Sequence, residues 1–203
     1  MKLGIMGGTF NPIHIGHLIL ANSALEELEL DKVLFMPSKK PPHKDHDDIL
    51  DETIRCEMVA AAIEDNPLFE MSDIEIKRDK TTYTFDTLTE LKDRGDLYFI
   101  MGADSFDNLE KWYKYEEIFK LTTIVVGVRK DMYSNELDEL KAYYEDKYAA
   151  RIYILSMPNM EVSSTELRRH FVNNQSIKYF VNDKVIDILE NNRDNVVDLW
   201  KDS

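Results

Sequence analysis

Apolar residues in this 203-residue chain fall into short runs separated by amphipathic stretches. "KLGIMG" (2–7) is an apolar run ending in glycine and predicts a strand followed by a turn. From His17 onward, Leu18, Ala21, Leu25 and Leu28 share one helical face. "KVLFMP" (32–37) reads as a second strand, stopped by Pro37, and "SKKPPHKDHDD" (38–48) as a proline-punctuated loop. A helix over 52–65, a strand over 69–76 and a helix over 84–95, stopped by Gly95, come next. "LYFIMG" (97–102), "TTIVVGVR" (122–129) and "RIYILSM" (151–157) read as buried strands, with a helix over 136–148 between the last two. From Ser163 the tail is helical in pieces.

Strand alternating with helix predicts an α/β fold. The expectation is a Rossmann-like, doubly wound parallel sheet with helices on both faces and a C-terminal helical tail. Residues 1–203 read as one domain, without an internal repeat or a low-complexity linker. Ligands in such sheets sit beyond the carboxyl ends of the strands. The unusual residues fall at those ends: Gly7–His17, Ser38–Lys44, Gly102–Ser105, Arg129 and Ser163–Arg168.

Bulk composition narrows the function. Hydrophobic residues are 43% and charged residues 32%, which suits a globular protein rather than a fibrous or disordered one. The net charge of −14, from 39 acids and 25 bases, runs against nucleic-acid binding, which gathers a basic surface. One cysteine, Cys56, rules out an internal disulfide and lies in a stretch with helical spacing. "MKLGIMGGTF" lacks the long apolar core of a signal peptide, and no run reaches the roughly 18 apolar residues of a membrane span. The expected location is therefore the cytoplasm, with no membrane partner. Self-association into a homo-oligomer is left open.

Chemistry enters with "GGTFNPIHIGH" (7–17). The adjacent glycines Gly7 and Gly8 let the backbone approach a ligand and present N–H groups to an anion. The spacing is not G-x-G-x-x-G, so the oxidoreductase dinucleotide fingerprint is absent. His14 and His17, three apart around a helix start, share a face and make a site for phosphate. In "VSSTELRRH" (162–170), Ser163 and Glu166 form a capping box. Ser164 and Thr165 add hydroxyls at that helix end, and Arg168 suits phosphate oxygens. Asp104 ends a strand, either to meet a ribose or to cap a helix. Trp112 is suited to stacking on a heteroaromatic ring or to a place in the core. His43 and His46, with Asp45, Asp47 and Asp48, match no zinc spacing and read as a solvated loop. Lys39, Lys40 and Lys44 make a local basic patch.

Together these stretches resemble the HxGH superfamily of nucleotidyltransferases. "PPHK", "TTYTFDTL" (81–88) and Trp112 point to its nicotinate branch. That resemblance implies transfer of adenylyl from ATP to nicotinate mononucleotide, giving deamido-NAD and pyrophosphate. It implies that His14, His17 and Arg168 are catalytic, and that Gly7, Gly8, Thr9, Phe10, Gly102, Asp104, Ser105, Arg129, Ser163, Ser164 and Thr165 bind ATP. It further implies that Thr82, Tyr83, Thr84 and Trp112 receive the pyridine and its carboxylate. Lys39 and Lys44 are assigned to the acceptor phosphate. Mg²⁺ would arrive on ATP, with no metal site in the protein. Two departures stand out: Asn11 where many relatives have Asp, which suits a tight turn equally well, and Asn182 where a proline is common. Nicotinamide mononucleotide and pantetheine phosphate remain alternative acceptors. A tRNA-synthetase remnant fits poorly, because no K-M-S-K-S and no basic surface are present. A non-catalytic ligand sensor on the same fold is the remaining alternative.

Overall fold

A computed structural model describes residues 1–39, 48–79 and 81–201. Six strands form one sheet: β1 (Lys2–Gly8), β2 (Lys32–Pro37), β3 (Phe69–Met71), β4 (Asp96–Gly102), β5 (Thr123–Arg129) and β6 (Arg151–Met157). They lie in the order β3-β2-β1-β4-β5-β6, every pair parallel. This is the doubly wound arrangement, whose winding reverses between β1 and β4.

Both faces of the strands are covered, so their sequences read as continuous apolar runs. Successive residues of β2 serve opposite cores: Val33 and Phe35 one, Leu34 and Met36 the other. The first core is closed by α1 (Ile15–Glu27), α2 (Glu52–Ile63), α7 (Ser164–Val172), α8 (Asp183–Asn191) and α9 (Arg193–Trp200). The second is closed by α3 (Thr84–Leu91), α4 (Ala103–Asp107), α5 (Tyr115–Leu121) and α6 (Asn135–Tyr148). Among the described residues no helix is long and apolar enough to cross a membrane.

The pattern missed in three places. The strand expected over 69–76 stops at Met71, and Lys77 N–H closes a turn on the Asp73 carbonyl at 3.0 Å. Here the chain leaves the sheet edge and changes face: Phe69 and Met71 pack on the first core, Ile74 on the second. Glu75 turns inward and accepts from Thr87 Oγ1 at 2.7 Å. The helix expected over 84–95 ends at Leu91 and tightens into a 3-10 turn over Lys92–Arg94. Gly95 follows at φ 144°, and a Cβ there would stand 2.1 Å from the Met1 carbonyl oxygen. Helix α4 was foreseen only as the helix that Asp104 would cap, and α5 not at all. Five and seven residues long, they are too short to show a clear period.

Asn182, the departure from the family's proline, is the N-cap of α8 and accepts from Lys184 N–H at 2.9 Å. The substitution therefore exchanges one helix-start device for another.

Candidate active site

The turn after β1 builds the centre of the site. Gly7 and Gly8 end the strand, and Gly8 O accepts from Ser38 N–H at 2.9 Å, joining the ends of β1 and β2. Phe10 adopts φ 50° and sinks its ring into the core. The Phe10 ring meets His17 edge-on, 5.2 Å between centroids. The chain then passes a cis Asn11–Pro12 bond to His14, the N-cap of α1.

His14 and His17 form one unit. Their rings lie 3.8 Å apart at 30°, and His14 N–H donates to His17 Nδ1 at 3.2 Å. An accepting Nδ1 carries no proton, so the His17 ring proton is on Nε2, which is a donor. His14 is 8% exposed, and burial pulls its pKa down to about 4, so it is neutral near pH 7. Gly16 makes the stack possible: a Cβ there would lie 3.1 Å from His14 Nδ1 and 3.0 Å from Val162 Cγ1.

Helix α7 closes on this turn from the other end of the chain. Ser163 caps it, accepting from Glu166 N–H at 3.2 Å. Ser164 Oγ donates to the Pro12 carbonyl at 2.9 Å. Arg168 is buried and donates to the Asn11 carbonyl at 3.2 Å and to Asp48 Oδ2 at 2.6 Å. In this state Ser164 and Arg168 hold the turn after β1, while Ser163 and Thr165 are exposed at the helix start.

Three residues brace this junction; the sequence reading gave Asn11 only a turn role and missed Trp200 and Arg55. Asn11 donates to the Asp48 carbonyl at 2.7 Å and accepts from Leu50 N–H at 3.1 Å. Asn11 lies in the expected turn and also donates a bond that an ionised Asp would not make. Trp200 Nε1 donates to the same Asp48 carbonyl at 3.0 Å. Arg55 is fully buried on α2. Its sequence signal was a cation in series with Met58, Val59 and Ala62 at helical spacing.

Across the winding reversal, Gly102 begins α4 without a side-chain cap, so Asp104 does not cap it. Gly102 and Asp104 are exposed and Ser105 half-buried at the rim, and a Cβ at Gly102 would meet nothing within 4 Å. Trp112 is half-buried and perpendicular to Phe99, 5.9 Å away, whose ring stands 3.7 Å from where a Gly7 Cβ would be. Tyr83, just before Thr84 at the start of α3, packs its ring 4.7 Å from Tyr113. Thr82 is buried beside it. Lys114 Nζ lies 4.3 Å over the Phe85 ring.

Other expected residues lie around these. Lys39 is half-buried just past β2; Lys40, His43, Lys44 and His46 lie outside the described residues. Arg129 ends β5 with its guanidinium on the Met132 sulfur. Among the described residues no three His, Cys, Asp or Glu side chains gather as a metal site. A hollow of about 680 Å³ between α7 and α8, lined by Phe171, Asn174, Lys178 and Glu190, takes in none of the motif residues.

A parallel sheet wound in this order, with a paired histidine turn after its first strand, defines a nucleotidyltransferase. The chain belongs to the cytidylyltransferase-like family, whose model matches residues 5–170. It is 43% identical over 187 residues to a probable nicotinate-nucleotide adenylyltransferase of Lachnoclostridium phytofermentans, covering 91% of this chain and 94% of that protein. Identity to the protein of the same description from Clostridium perfringens is 41% over 192 residues, covering 93% and 95%. Among solved structures, Plasmodium falciparum nicotinic acid mononucleotide adenylyltransferase complexed with NaAD superposes with a TM-score of 0.80. That match covers 98% of both chains at 18% identity, a likeness of fold.

Proposed function

We propose that the protein transfers the adenylyl group of ATP to nicotinate mononucleotide, forming deamido-NAD and pyrophosphate in NAD biosynthesis. The acceptor phosphate attacks the α-phosphorus in line. The bond to the bridging oxygen of the β-phosphate breaks, and pyrophosphate leaves. A phosphate monoester has a second pKa of about 6, so near neutral pH the nucleophile needs no base. Alignment and charge stabilisation remain as the protein's tasks.

The observation that carries this reading is the bond from His14 N–H to His17 Nδ1. It leaves Nε2–H as the ring donor of His17, which would meet the α-phosphate next to a helix start that favours anions. The exposed Ser163 and Thr165 hydroxyls at the start of α7 would meet the departing phosphates, with Ser164 and Arg168 holding that helix in place. Gly102, Asp104 and Ser105 would face the nucleoside. Trp112, Tyr83, Thr82 and Thr84 would frame the pyridine, and Lys39 would meet the acceptor phosphate.

Mg²⁺ would be brought by ATP. The oxygen donors it prefers are present in the phosphates and in the exposed Asp104 carboxylate. Bound there, it would neutralise charge on the triphosphate. The cytoplasm, where a lone thiol such as Cys56 stays reduced, is the proposed setting.

The test is pyrophosphate release from ATP and Mg²⁺ with nicotinate mononucleotide, its amide or phosphopantetheine as acceptor. Release is expected with nicotinate mononucleotide at the highest kcat/KM. Release with none of the three would refute the reading.

A further inference from the structure

Arg55 sits on the buried stripe of α2 and is 1% exposed. Packing does not account for it, because a leucine would fill the stripe and a buried cation forfeits its hydration. Among the described residues its guanidinium donates to three backbone carbonyls. Nε reaches Leu50 at 2.8 Å, and Nη1 reaches both Thr9 and Ser38 at 2.8 Å.

Those carbonyls belong to three separate segments. Thr9 lies in the turn that leads to His14 and His17. Ser38 and Leu50 bracket the connection that begins with Lys39. One nitrogen therefore holds the ends of β1 and β2 together, and the same side chain fixes the far end of the β2 connection. Two further bonds cross the junction, from Ser38 N–H to Gly8 O and from Leu50 N–H to Asn11 Oδ1.

We propose that Arg55 is a positioning residue for the transfer reaction: its fork sets the acceptor-phosphate segment against the turn that holds the ATP phosphates. This rests on the adenylyl-transfer reading above. Arg55 itself touches neither substrate; it acts through the backbone of Thr9 and Ser38.

Misplacing reacting groups by about 1 Å costs on the order of 10²-fold in rate. Arg55→Met keeps the bulk of the stem and loses all three donors. Its kcat is expected to fall roughly 10- to 100-fold, with KM for ATP little changed. The assay is run at a temperature where circular dichroism shows the variant fully folded. Arg55→Lys keeps the charge but reaches fewer carbonyls, and its kcat is expected to fall between the two. Wild-type kcat in folded Arg55→Met would overturn the proposal. So would a loss that disappears once activity is scaled to the folded fraction, or the failure of both variants to fold. Wild-type protein assayed alongside separates the two claims: if it is inactive, the functional reading fails and takes this inference with it. If it is active and the variants match it, only the inference fails.

Discussion

The amide of His14 and the ring of His17 face each other across one turn of chain, 3.2 Å apart, and this contact decides which nitrogen of His17 carries a proton. The ring donor of His17 is therefore set by backbone placement. Removing one such preorganised donor typically costs roughly 3–4 kcal/mol, about 10²–10³ in rate. His17→Ala is expected to lose kcat on that scale while circular dichroism and the melting temperature stay close to wild type. Near-wild-type turnover in a pyrophosphate-release assay would remove His17 from the mechanism.

His14 gives the fold a pH dependence of defined sign. Its pKa is about 4 in the folded protein, lowered by burial from 6.5. Between those values the unfolded chain binds a proton that the folded chain does not, so stability falls as pH drops through this window. At about 1.36 kcal/mol per pKa unit, the full effect is on the order of 3 kcal/mol. Glu75, pushed up by burial, acts in the opposite direction. The informative quantity is accordingly the difference between wild type and His14→Asn in urea midpoints from pH 7 to pH 4. That gap should change with pH, the wild type losing more; parallel curves would refute the assignment.

Asn11 satisfies one acceptor and one donor of the 48–50 segment at once. A buried polar group left without a partner costs about 1–3 kcal/mol. Asn11→Leu, close in shape and unable to bond, is expected to lose stability in that range, read from denaturant unfolding. Because the Asp48 carbonyl keeps Trp200 Nε1, the loss should lie nearer the bottom of the range. A stability equal to wild type would show that water replaces the amide.

Trp112 meets the ring of Phe99, which in turn faces Gly7, and makes no ring contact with His14 or His17 among the described residues. An aromatic contact is worth about 0.5–1.5 kcal/mol beyond its buried area. Trp112→Ala is expected to raise KM for nicotinate mononucleotide several-fold and to leave KM for ATP near its wild-type value. Steady-state kinetics with each substrate varied in turn separates the two. An equal rise in both would place Trp112 in general packing.

Much of the fold was legible in the sequence, for a physical reason. Parallel strands buried on both faces must be apolar throughout, and β2 and β5 announce themselves as "VLFM" and "IVVGV". Where that condition lapses, the reading fails: β3 is an edge strand of three residues, and the chain beyond it is bent by Glu75 seeking Thr87. The motif residues were legible because paired glycines and histidines at a strand end have few structural uses. The contacts that hold them in place were not. Ser164 meets Pro12 across 152 positions, and Arg168 meets Asn11 across 157. No local pattern reports such meetings, and only the misplaced charge of Arg55 left a trace.

The bond from Trp200 to the Asp48 carbonyl sets a timetable for the molecule's birth. The histidine turn is made well before Trp200. Its neighbours at 48–50 stay half-braced until the indole, some 152 positions later, has emerged and packed into the first core. A nascent chain halted before α9 would carry every motif residue through Arg168, yet the seat they share would still be unfinished.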